Sequence, residues 1–236
     1  MDAALGTVLG AGIGAVAGGS GGLLAIWWQN RLARIQEKHE RQKEERRLRI
    51  LYIHPFRSAT IEFYERTNAL QRWYSEPAEK ARLLCWIGQI KDNESFRQSR
   101  QFLLDCNGVY TFAVNTLHIT ARFLAHAVRL RTKTPFRDID RSFSDELTQA
   151  LFDVRAILND EGYGIYEQLQ DSIGYRMFEG SSLKTYEQFC RSIANGADFP
   201  WYLRLLDYYL DVDNRRQHNI PKVSASLSRL KDLLHQ

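Results

Sequence analysis

Residues 3–30 read AALGTVLGAGIGAVAGGSGGLLAIWWQN and contain no charged side chain. As a helix, the 26 residues Ala3–Trp28 would extend about 39 Å, at about 1.5 Å per residue. The hydrocarbon core of a bilayer is about 30 Å thick, so this segment is long enough to span it with some tilt. The sequence therefore predicts one amino-terminal transmembrane helix within residues 1–30.

Glycine recurs at every fourth position of this segment, which places five glycines along one stripe of a helix. The stripe contains four overlapping G-x-x-x-G units, and small residues in such a stripe let two transmembrane helices approach closely. The segment resembles a glycine zipper, and the resemblance implies a homo-oligomer. A glycine-rich leader without structure is the alternative, although polar linker residues are scarce in the segment. The stripe residues are Gly6, Gly10, Gly14, Gly18 and Gly22.

The carboxyl-terminal end of the segment fits a membrane interface. Trp27 and Trp28 have the amphipathic rings that favour the headgroup region, and Arg31 and Arg34 are the first basic residues after them. By the positive-inside rule, the rest of the chain would lie in the cytoplasm and a short amino terminus outside. A cleaved signal peptide is disfavoured, because the residues before the apolar run include Asp2 and no Lys or Arg.

Positive charge is concentrated directly after this segment. Residues 31–49 hold eight Lys and Arg against four Glu, an excess equal to the net charge of +4 of the whole chain. The remainder is nearly neutral, so a nucleic-acid-binding surface is not expected. Oppositely charged residues recur four apart, as in Glu37 and Arg41, which favours a solvated helix. We predict a charged helical stalk over residues 31–54, either a plain spacer or one that also attracts anionic lipid headgroups.

Residues 55–236 show the apolar spacing of helices and predict a soluble all-α body. Pro55 and Pro77 suit the first turns of two helices, and Asn107-Gly108 is a candidate break in a long helical stretch from Asn93 to about Arg131. Ser142-x-x-Asp145 reads as a capping signal for a helix that ends before Asn159. Further helices are predicted over residues 183–194, 200–210 and 223–235, whereas the glycine-containing stretch Tyr163–Gly180 is ambiguous and no strand pair is indicated.

The sequence contains no strong motif for a catalytic, cofactor-binding or metal-binding site. Gly10, Gly12 and Ala15 match the dinucleotide fingerprint, but the alternation of strands and helices that this site requires is missing. His118 and His126 lack metal-ligand spacing, and the acidic pair Asp207 and Asp211 favours surface ion pairs over a cation site.

The three cysteines lie far apart, which predicts buried thiols and neither a disulfide framework nor a zinc site. The residues Cys85, Cys106 and Cys190 are those thiols. We therefore expect no catalytic residue, cofactor or metal, and hence no enzyme.

Large semi-polar rings cluster near residue 200, at Trp201, Tyr202, Tyr208 and Tyr209. Such rings are usually core residues, but they also anchor protein interfaces, so they form the candidate partner surface. Together these features predict a single-pass membrane adaptor or scaffold that self-associates and binds a protein partner. The alternative is an effector that perturbs the bilayer by assembling through the glycine zipper after its helical body senses a signal.

Overall fold

The computed structural model describes residues 27–133, 141–159, 164–196, 198–210 and 219–235. The chain divides into two compact units, Met1–Leu48 and Arg49–Gln236. The described part of the first unit is helix α1, residues 27–48, in which every residue from 27 to 44 is exposed. A 2.7 Å hydrogen bond joins the Arg41 guanidinium to the Glu37 carboxylate one turn earlier. The charged stretch is thus helical and solvated, as the spacing of its charges predicts.

Within the described ranges, no helix combines the length and the hydropathy needed to cross a bilayer. The predicted transmembrane segment lies outside the described residues apart from residues 27–30, so it stays a prediction. The same holds for the five glycines of the zipper.

The second unit is helical, which confirms the predicted all-α class for the part of the chain that the structure describes. A π-helical turn, Arg49–Ile53, comes before the first of its α-helices. The α-helices are α2 His54–Ser75, α3 Pro77–Asp92, α4 Glu94–Arg97, α5 Arg100–Asp105, α6 Thr111–Lys133, α7 Arg141–Leu158, α8 Glu167–Arg176, α9 Tyr186–Ala194, α10 Phe199–Leu210 and α11 Asn219–Leu233. Two short antiparallel strands, β1 Phe178–Glu179 and β2 Ser182–Leu183, form a hairpin between α8 and α9.

Helices α2 and α6 lie at the centre of this unit. Phe123 of α6 packs between Phe56 and Phe63 of α2, with ring centroids 5.6 and 5.0 Å away, and all three rings are fully buried. Helix α11 packs on α2 and α7, and α8 packs on α6. Phe56 and Phe63 are two turns apart on α2, so burying one apolar stripe accounts for the position of this helix.

Helix boundaries follow local signals where these are strong. Pro55 and Pro77 lie in the first turns of α2 and α3, and the predicted break at Asn107-Gly108 falls in the turn between α5 and α6. A second break, not predicted, occurs at Ser99, whose hydroxyl accepts a 3.1 Å hydrogen bond from the backbone N–H of Phe102 and so caps α5.

Two local predictions, the Ser142 cap and the absence of a strand pair, need correction, and the structure also describes the stretch that the sequence left open. Helix α7 begins at Arg141, so Ser142 lies inside the helix and does not cap it. The ambiguous stretch Tyr163–Gly180 contains helix α8, and its last residues enter the unpredicted hairpin, where Gly180 has a φ of +62°. A turn with positive φ favours glycine, and strands of two residues are too short for an alternating pattern to show.

Candidate functional site

The predicted interface residues lie on α1 and are exposed. The Trp27 and Trp28 rings meet edge to face with centroids 5.6 Å apart, and the Arg31 guanidinium lies 5.2 Å from the centroid of the Trp27 ring. Arg34 is exposed one turn further along α1. Exposed Leu32 and Ile35 extend the apolar surface of this helix. The described start of α1 therefore combines aromatic, aliphatic and basic side chains, the mixture found at lipid interfaces.

The candidate partner surface near residue 200 belongs mainly to the core. Tyr202, Tyr208 and Tyr209 are each at most 5 % exposed. The Tyr209 hydroxyl lies 2.7 Å from the hydroxyl of Thr120, so its polar end is satisfied inside the protein. Trp201 is half-buried, with the Arg176 guanidinium 5.1 Å from its ring centroid. Of the four residues, Trp201 alone keeps surface with which it could contact a partner.

An apolar groove lies elsewhere, between α6, α7 and α8, and has a free volume of about 170 Å³. Phe152 of α7 stands at its edge with 55 % of its surface exposed. The groove, called the α7 groove below, is lined by Leu130, Arg131, Leu147, Thr148, Leu151, Phe152, Arg155 and Glu167. The sequence pattern did not single out Phe152, because a lone aromatic residue on an amphipathic helix usually faces the core.

A polar network fixes one wall of the α7 groove. The Arg155 side chain is 7 % exposed, and its guanidinium bonds to the Gln170 amide oxygen at 3.1 Å and to the Asp171 carboxylate at 2.9 Å. Arg131 pairs with the same carboxylate from α6. Burial lowers the pKa of Arg155, and Asp171 opposes that shift. Since Asp171 links α6, α7 and α8, the groove has a rigid wall.

A second cluster is buried where α9 meets the turn after α5. The Tyr186 hydroxyl donates a 2.7 Å hydrogen bond to the carbonyl oxygen of Cys106. Cys190 lies one turn after Tyr186 on α9, and both Cys106 and Cys190 are buried. Cys85, by contrast, is exposed on α3. The prediction of a buried thiol is confirmed for Cys106 and Cys190 and wrong for Cys85.

The two sulfurs of this thiol cluster differ in their pKa values. The neighbouring Cys190 and burial raise the pKa of the Cys106 thiol. The neighbouring Cys106 lowers the pKa of the Cys190 thiol, and burial opposes that shift.

His118 borders the thiol cluster on α6. Its ring centroid lies 5.5 Å from that of Tyr186 and 5.2 Å from that of Phe189. Burial lowers the pKa of His118, and its Nε2 has no hydrogen-bond partner among the described residues. The imidazole is thus a neutral packing residue in the folded body.

The structure describes one residue of the predicted acidic pair. Asp207 forms a 2.6 Å ion pair with Lys91 of α3, as the preference for ion pairs over a cation site predicts. Asp211 lies outside the described residues. Within the described part of the chain, no three His, Cys, Asp or Glu side chains converge as metal ligands would.

Comparisons of the chain with protein-family models, with curated proteins and with solved structures find no match.

Proposed function

We propose that the chain is a single-pass membrane adaptor that self-associates through its amino-terminal helix and presents a helical body in the cytoplasm to a protein partner. One observation carries this proposal: the uncharged run from Ala3 to Asn30 has glycine at every fourth position, and basic residues follow it immediately. A run of this length suits a bilayer, and the stripe suits close helix pairing.

The exposed helix α1 supports this arrangement. Its aromatic residues come directly after the uncharged run, and its charged residues follow them. Residues 36–47 of this helix contain no apolar side chain, so this part of the helix would stay in water. Its basic side chains would also gain about 1 kcal/mol each from anionic headgroups near the surface.

The α7 groove supports partner binding. Hydration of a half-exposed Phe152 beside Leu147 and Leu151 is unfavourable, and a partner that covers these side chains would remove that cost. A groove between helices suits an amphipathic helix that inserts apolar side chains one turn apart. We assign this groove to such a helix of the partner protein.

Self-association is tested with two matched leucine variants. Gly14→Leu places a large side chain on the glycine stripe, whereas Gly12→Leu places the same side chain about 200° away on an ideal helix. The proposal expects the wild type and Gly12→Leu to run as oligomers in mild detergent and Gly14→Leu to run as a monomer. Equal sizes for the two variants would contradict it.

Partner binding is tested with Phe152→Asp and the control Leu104→Asp, since Leu104 is 58 % exposed and lies outside the groove. Proteins crosslinked to the body in membranes should be lost with Phe152→Asp and kept with Leu104→Asp. If neither variant changes the crosslinks, and the wild type but not Gly14→Leu releases dye from vesicles, the chain is a membrane-perturbing effector and not an adaptor.

A further inference from the structure

A second pocket lies between α6, the end of α8 and the β1–β2 hairpin, and has a free volume of about 180 Å³. It shares none of its described lining residues with the α7 groove. Arg129 of α6 lines this pocket and is half-buried, and the side chains of Val128 and Phe178 add apolar surface. A cavity of about 150 Å³ can hold benzene, so the Arg129 pocket, as it is called below, has room for one aromatic ring.

Two aromatic rings lie near the guanidinium of Arg129. Its Cζ is 5.4 Å from the centroid of the Tyr52 ring in the π-helical turn and 5.9 Å from that of the Phe178 ring on β1. Rings at such distances attract the cation, but they accept no ordinary hydrogen bond from it. The planar fork of N–H donors therefore stays suited to a carboxylate.

Arg129 differs from its neighbours on α6 in its lack of a counter-ion within the described part of the chain. Arg122, two turns earlier, pairs with Glu62 at 2.7 Å. Arg131, two residues later, pairs with Asp171. A half-buried cation without a counter-ion attracts an anion more strongly than a fully solvated one does, because water screens its charge less.

The walls of the Arg129 pocket supply hydrogen-bond donors and no acid. None of the described residues that line it is acidic, whereas the exposed Tyr175 and Ser181 bring hydroxyl groups. The carboxylate of Glu179 on the same hairpin accepts a 2.7 Å hydrogen bond from the Gln188 amide of α9. An anionic ligand would thus meet one cation and neutral donors, without a like charge from these walls.

We propose that the Arg129 pocket binds a small aromatic monocarboxylate. The carboxylate accepts a pair of hydrogen bonds from the Arg129 fork, and the ring packs against Val128 and Phe178. One cation matches a group of one negative charge, whereas the second charge of a phosphate monoester would stay unpaired in a partly desolvated site. The α7 groove suits such a ligand less well, because both of its arginines already share the Asp171 carboxylate. This proposal does not depend on the membrane anchor.

The test uses the full chain in mild detergent, with benzoate as the probe and benzyl alcohol as a neutral analogue of similar shape. Broadening of the ligand's proton NMR signals during a titration measures binding. The wild type should bind benzoate saturably with a Kd of about 1 mM or lower, a strength within reach of so small a ligand. Benzyl alcohol should bind at least about tenfold more weakly. Equal binding of the two ligands, or no saturable binding of benzoate, overturns the proposal.

Two variants remove the charge and keep a side chain of similar length. Arg129→Met and Arg129→Gln should each weaken benzoate binding by about tenfold or more. Arg191→Met is the matched control, since Arg191 is exposed on α9 and outside the pocket. This control and Phe152→Asp, which changes the α7 groove, should bind benzoate as the wild type does.

Circular dichroism identifies which variants are folded, and only these are compared. A folded Arg129→Met or Arg129→Gln that binds benzoate as tightly as the wild type overturns the proposal. Loss of benzoate binding in a folded Phe152→Asp also overturns it, because the probe would then occupy the α7 groove.

Discussion

Gly174 of α8 lies against the main chain of Leu124 on α6. A Cβ added at Gly174 would lie 2.8 Å from the Leu124 carbonyl oxygen and 3.0 Å from its carbonyl carbon. Both neighbours are backbone atoms and cannot turn aside. The close approach of α6 and α8, and with it the Asp171 wall of the α7 groove, therefore requires glycine at this position.

Gly174→Ala is expected to lower the free energy of unfolding by about 1–3 kcal/mol, because the added methyl group forces the two helices apart. Gly88→Ala is the matched control, since Gly88 is also helical and a Cβ there would meet nothing within 4 Å. The control should be unchanged or gain up to about 1 kcal/mol from helix propensity. Urea unfolding of both variants measures this difference, and equal losses would contradict the close contact.

Removal of the buried Arg155 guanidinium is expected to lower the stability of the folded body substantially. Arg155→Met should lower the free energy of unfolding by about 3 kcal/mol or more, because the Gln170 amide oxygen and one side of Asp171 lose their donor. Arg191→Met removes an ion pair to Glu187 in which both side chains are more than 60 % exposed. That variant should change stability by at most about 0.5 kcal/mol. Similar losses for the two variants in chemical denaturation would show that the network contributes little.

His126 predicts a pH dependence of stability. Burial, with the charges of Arg122 and Arg129, lowers its pKa from 6.5 to about 4 in the folded protein. Between pH 4 and pH 6.5, the unfolded chain therefore binds more protons than the folded protein. The stability that the neutral, buried His126 contributes is complete above pH 6.5 and is lost as the pH falls toward 4. The loss amounts to about 3 kcal/mol at most. Burial of His118 lowers its pKa too and acts in the same direction.

His126→Gln should flatten the stability profile between pH 4 and pH 6.5. Unfolding in urea at several pH values measures the slope for both proteins. If the variant keeps the slope of the wild type, protonation of His126 does not limit stability in this range.

Features set by neighbouring residues could be predicted from the sequence. Prolines start α2 and α3, Asn107-Gly108 separates α5 from α6, and Glu37 pairs with Arg41 along α1. In each case the physical cause lies within a few residues: a fixed φ, a flexible turn or an i,i+4 spacing.

Features set by packing could not be predicted in this way. The hydrogen bond from Tyr186 to the carbonyl oxygen of Cys106 depends on how α9 packs against the α5–α6 turn. Tyr209 is a core residue because Thr120, far away in sequence, satisfies its hydroxyl. Gly174 weakens a helix locally, yet it is accommodated in α8, where a Cβ would clash with α6. The amino-terminal segment lies outside the described residues, and its place in a membrane stays a proposal.

Extraction from membranes at alkaline pH tests the central proposal most directly. The full chain and a version that lacks residues 1–30 are expressed in parallel, and their membranes are washed with sodium carbonate, which releases proteins held only at the surface. The account predicts that the full chain stays in the membrane pellet and that the shortened chain is released. If the full chain is released as completely as the shortened one, the segment Ala3–Trp28 does not span the bilayer, and the membrane adaptor proposal is wrong.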